Sequence, residues 1–203
     1  MDLLSNTRLL TSFTSYERKC AGSPREYFAT FGRKPYENDI YGSLAGLYIQ
    51  QERFQDAADT YSGFIERNPL SLSAPDFHTR MIQVYHKGGF PSLILPAKES
   101  FVVNYGRNSE FWNKYTGLVI DELKPLLRQH LDDISKFYHA KAQASKKPED
   151  YREAAKWYRV ILATFSDPQI DSQYRFALAE SLFEGGLWAQ AAKEFEQVAY
   201  QNE

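Results

Sequence analysis

Four histidines (His78, His86, His130 and His139) and two acid pairs (Asp121-Glu122 and Asp132-Asp133) are the side chains able to hold a cation or move a proton. A helix-borne metal site needs ligands about one turn apart, as in His-x-x-x-His or Glu-x-x-His. Neither spacing occurs around these histidines. His78 and His86 lie about two turns apart, with no third ligand near them in the sequence. Adjacent carboxylates of this kind suit a solvated helix face. Cys20 follows Arg18-Lys19, and the two cations favour its thiolate, yet no partner base is recognisable. As a lone thiol it excludes an intrachain disulfide and a multi-cysteine zinc site. The chain has no Gly-x-Ser-x-Gly elbow, phosphate loop or dinucleotide fingerprint. These residues predict a protein that is not an enzyme, with no catalytic residue, no metal and no cofactor.

The bulk numbers point the same way. The 203 residues carry 24 basic and 26 acidic groups, for a net charge of −2, which argues against a general nucleic-acid binder. No apolar run is long enough to span a bilayer. The start, Met1-Asp-Leu-Leu-Ser-Asn, lacks the basic-then-apolar order of a secretory signal. The expected location is cytoplasmic, or periplasmic and cell-envelope if the chain is an excised fragment. The 14 Tyr and 14 Phe are enough to fill seams between helices.

Helices must therefore position whatever surface is used. Ser23-Pro24-Arg25-Glu26 reads as a capped start, with a helix to Phe31 and a stop at Gly32. Helices follow from Asp39 to Gln50 and from Phe54 to Arg67, the second closed by Asn68-Pro69. Pro75-Asp76 opens the next helix, and Gly88-Gly89 turns the chain into one from Pro91 to Asn104, where Pro96 predicts a kink. Ser109 can cap a helix carrying Phe111, Trp112 and Tyr115, and Pro125 reads as the start of a separate long helix to Ser145. Tyr151–Phe165, 171–184 and 188–201 complete an all-α chain of about ten or eleven helices, with no strand signal.

Within these helices one template recurs. Tyr41, Leu44, Ala45 and Tyr48 share a stripe, as do Ala57, Tyr61 and Phe64, and small residues beside aromatics let two backbones approach. Leu178, Ala179, Leu182, Ala191, Phe195 and Val198 repeat the pattern, and Tyr138, Ala142, Ala154, Tyr158 and Ile161 repeat it with Lys141 in place of Leu. Asp150-Tyr-Arg-Glu-Ala-Ala-Lys-Trp-Tyr158 nearly duplicates Arg53-Phe-Gln-Asp-Ala-Ala-Asp-Thr-Tyr61. With the Asn68-Pro69 ending, these residues resemble the tetratricopeptide repeat family, of bacterial type, over 39–106 and 136–201. A weaker likeness is to repeat lipoproteins of outer-membrane assembly. The resemblance implies a single α-solenoid domain over 1–203: an amino-terminal helical extension at 1–38, repeats at 39–106, a helical insert at 107–137 and repeats at 138–203.

What the resemblance implies for function is a scaffold that binds a partner's peptide or helix on the concave face, built from the first helix of each pair. Projection places Gly46, Ile49, His78, Ile82, Tyr85, His139, Gln143, Phe176, Glu180 and Phe183 on that groove. Gly42 and Gly46, one turn apart, predict a close neighbour, expected to be the 24–31 helix. The Lys and Asn that clamp chaperone tails in some members have no match at Gly42, Gly46, His78 and Ile82. A docking or regulatory module excised from a larger enzyme is the alternative, and self-association through the uncapped last helix is a third reading.

Overall fold

The computed structural model describes residues 24–165 and 168–200, with backbone only at 168–170 and 200. It is all-helical, and no strand occurs among the described residues. The helices are α1 Pro24–Phe31, α2 Glu37–Gln50, α3 Phe54–Arg67, α4 Ala74–Lys87, α5 Pro91–Tyr105, α6 Glu110–Lys114, α7 Leu118–Ser145, α8 Pro148–Thr164, α9 Pro168–Glu184 and α10 Trp188–Tyr200. The chain divides into two compact units, Met1–Ala97 and Lys98–Glu203.

In the first unit α2 packs on α3 and α3 on α4, while α1 lies against α2 and α3. A chain of aromatic rings runs through this packing. Phe28 stacks on Tyr41 at 5.9 Å, Tyr41 meets the edge of Phe64 at 5.4 Å, and Phe64 meets Phe77 at 4.6 Å. Each such pair adds about 0.5–1.5 kcal/mol beyond the burial of its area. Ala45, Ala57 and Ala58 are fully buried, so small residues do bring these backbones together. A polar knot closes one side. The buried Glu37 accepts from Arg67 Nε at 2.8 Å and from Asn68 Nδ2 at 2.9 Å. Arg67 also donates from Nη2 to the carbonyl of Phe28, which ties α1 down.

The corners follow the expected chemistry. Gly32, at φ +75°, ends α1, and Gly89, at φ +72°, turns the chain after α4. At Gly88 a Cβ would fall 2.5 Å from the Phe90 ring and 2.7 Å from the Cβ of Phe54, so only glycine fits. Gly42 has Phe77 of α4 as its neighbour, 3.4 Å from where a Cβ would sit, rather than α1 as expected. Phe28 of α1 meets Tyr41 instead. Gly46 faces open space.

In the second unit α7 packs on α8, α8 on α9 and α9 on α10. Ala154, Ala155, Tyr158, Leu178, Leu182 and Ala191 form its buried cluster, with Tyr138, Tyr174 and Phe195 packed around it. Ser109 caps α6 as anticipated, accepting from Trp112 N at 3.1 Å. The expected helix start at Pro125 is not there. α6 is a short piece, Gly117 breaks the chain at φ +62°, and α7 runs from Leu118 straight through Pro125. Proline needs no N–H partner only in a helix's first turn, so it marks a start weakly once a glycine break lies just upstream. Likewise α5 continues through Pro96. Cys20 and Ser23 lie outside the described residues.

Candidate functional site

The first unit carries a cleft of about 460 Å³ where the end of α2 meets α3 and α4. Ile49, expected on the groove, lines it, together with Thr79, Arg80, Gln83 and Lys87 of α4. The guanidinium of Arg80 is held by Asp76, Nε to Oδ2 at 2.9 Å, and that carboxylate raises its pKa. Burial raises the pKa of the Tyr61 hydroxyl, while Arg80 works against that. The Lys87 ammonium sits over the Phe54 ring, 5.7 Å from its centroid. An apolar floor at Ile49 with donors from Arg80 and Gln83 can hold a chain by packing and hydrogen bonds.

His78 and Ile82 are not on this surface. They are 1% and 4% exposed, and His78 Nε2 lies 3.0 Å from the carbonyl oxygen of Ala97. Tyr85 is half-buried, with the edge of its ring against Phe90 at 6.3 Å. The cause is register. The buried stripe Tyr41, Leu44, Ala45 and Tyr48 on α2 has its counterpart on α4 in His78, Met81, Ile82 and Tyr85. The outward residues of α4 therefore fall one position later than projected, at Thr79 and Gln83. The turn from Asn68 to Ser73 sets this phase, and aligning the apolar stripes rather than counting a fixed repeat would have found it.

In the second unit the projection lands on the surface. Phe176 and Phe183 of α9 are 47% and 54% exposed, and Glu180 between them is exposed. Their spacing puts all three on one helix face. The edge of the Phe176 ring meets Phe195 of α10 at 5.7 Å, which fixes its orientation. On α7, Gln143 is exposed, and His139 is partly buried with Nδ1 at 3.2 Å from the Tyr158 hydroxyl. Ser181 is fully buried and donates to the Ala177 carbonyl at 2.8 Å, so its hydroxyl is held inside. Burial, with Asp132 and Glu180 adding to it, pushes the Tyr158 hydroxyl up to about 12. Tyr174, which donates to Asp132 at 3.0 Å, is pushed up to about 12 by burial and by that carboxylate.

Three of the four acids in the two pairs are engaged by lysines. Asp121 meets Lys124 at 2.8 Å, Asp132 meets Lys136 at 2.7 Å and Asp133 meets Lys98 at 2.6 Å. Among the described residues no group of three or more His, Cys, Asp or Glu side chains is placed to hold a metal ion. Among the described residues no helix is long and apolar enough to cross a membrane. No family model matches the chain, and comparison with curated proteins gave no match.

Proposed function

We propose that the chain is a tetratricopeptide-like α-solenoid acting as a non-enzymatic interaction scaffold, which seats a partner's peptide or helix on the outward faces of its first helices. The observation that carries this reading is the exposure of Phe176 and Phe183 on α9. Large apolar rings on water are costly to keep, at about 25 cal/mol per Å² of apolar surface left uncovered, and two on one helix face mark a contact surface. They stand where the α2 stripe has Gly42 and Ile49, just beside the buried Leu178, Ala179 and Leu182. Helices α1 to α4 of the first unit and α7 to α10 of the second each pack on the next in sequence, as a repeat array requires.

The proposal extends to a role in bacterial cell-envelope assembly, on the weaker likeness to repeat lipoproteins alone. Crosslinking in the native cell, followed by mass spectrometry, tests both parts. Crosslinks from a partner to α9 and to the Ile49 cleft are expected. A partner that is recovered undiminished by a folded Phe176→Asp, Phe183→Asp double variant sinks the assignment.

A further inference from the structure

The second unit's surface also carries a charge pattern, and the following inference rests on the scaffold reading just given. Glu180 lies between Phe176 and Phe183, one turn from each, so its carboxylate sits between two exposed rings about 10 Å apart along the helix. Glu184 is exposed one turn further on. Among the described residues no ion pair involves Glu180 or Glu184, whereas Asp132 is paired with Lys136 and Glu194 with Arg175. Both carboxylates are therefore open to a cation from outside the chain.

An acidic group flanked by two aromatic faces matches one chemistry well. A cation gains from the carboxylate and from the ring quadrupoles at once, while its aliphatic stem covers the rings. An acidic or purely apolar segment would gain only part of this. We infer that the α9 face takes a basic amphipathic segment of a partner protein, whose Arg or Lys lies between the Phe176 and Phe183 rings against Glu180. Flanking apolar residues of that segment would cover the rings.

The test uses the full chain and three amphipathic helical peptides that share one leucine stripe and differ only at a midpoint Arg, Gln or Glu. Binding is read by fluorescence anisotropy at low and moderate salt. The Arg peptide is expected to bind about tenfold tighter than the Glu peptide, with the gap narrowing in salt. Glu180→Lys, on an exposed position, should reverse the order with an unchanged helical circular dichroism spectrum. Equal affinity for all three peptides, or an order that survives Glu180→Lys, overturns the basic preference. If that equal binding is lost in Phe183→Asp, the groove itself still stands. If none of the peptides binds, the groove reading falls together with the preference.

Discussion

Arg67 Nε lies 2.8 Å from Glu37 Oε1, and the carboxylate it meets is nearly closed off from water. The same guanidinium reaches the Phe28 carbonyl, so one side chain of α3 ties α1 and α2 to it. Removing one partner of such a pair leaves an uncompensated buried charge.

Arg67→Ala should therefore destabilise the protein by about 3 kcal/mol, near the lower end for broken buried pairs because Arg67 is partly solvated. Arg67→Lys should recover only part of this, since an ammonium cannot serve Glu37 and Phe28 together through a planar fork. Urea unfolding monitored by circular dichroism gives both values. Equal stability of Arg67→Ala and the native chain would show that the knot contributes nothing net.

His130 is buried in the second unit, with neither ring nitrogen hydrogen-bonded, against the edge of Phe101 at 4.6 Å. Burial, helped by the nearby Lys98 ammonium, lowers its pKa to about 4, with Asp133 opposing. The fold thus favours the neutral ring, and the unfolded chain takes up the proton first. Stability from this group is complete above about 6.5 and is lost as pH falls through the window down to about 4. The loss should approach about 3 kcal/mol at the acid end. His130→Leu should flatten that part of the profile, which urea midpoints at several pH values would reveal.

Gly88 and Gly46 of the first unit should behave oppositely. Gly88→Ala forces a Cβ into the Phe90 ring and Phe54, and a cost of about 1–3 kcal/mol is expected. Gly46→Ala meets open space inside a helix and should stabilise by up to about 1 kcal/mol. Thermal melts of the two variants decide between these signs.

Ile82 and Thr79 separate core from surface on α4. Ile82→Ala should cost about 2–5 kcal/mol, because a buried side chain leaves a cavity. Thr79→Ala, which lines the cleft, should stay within about 0.5 kcal/mol of the native chain and change partner binding instead. The reverse pattern would restore the original projection.

Much of the core is legible in the sequence. Tyr41, Leu44, Ala45, Ala57 and Phe64 are buried as their spacing required, since period and residue size alone decide which stripe faces a neighbouring helix. On α9 the same period placed Phe176, Glu180 and Phe183 outward. It failed on α4 because phase depends on turn length, and a turn's conformation is set by backbone geometry that hydrophobic periodicity does not report. Pro125 misled for a related reason. A proline states which hydrogen bond is missing, not whether the helix stops there. The Glu37–Arg67–Asn68 knot was invisible, since Glu37 lies 30 and 31 residues from its two partners and none breaks the polar pattern around it.

The packing of α1 to α4 and of α7 to α10, each helix on the next, also bears on how fast the chain folds. Contacts between elements that are adjacent in sequence close only short loops, and loop closure is the main entropic hurdle before tertiary contacts form. Low contact order of this kind goes with folding on the microsecond-to-millisecond scale. Stopped-flow refolding of the intact chain should thus show a main phase that outpaces a β-sandwich of similar size, with little time spent exposing the aromatic rings that later become its seams.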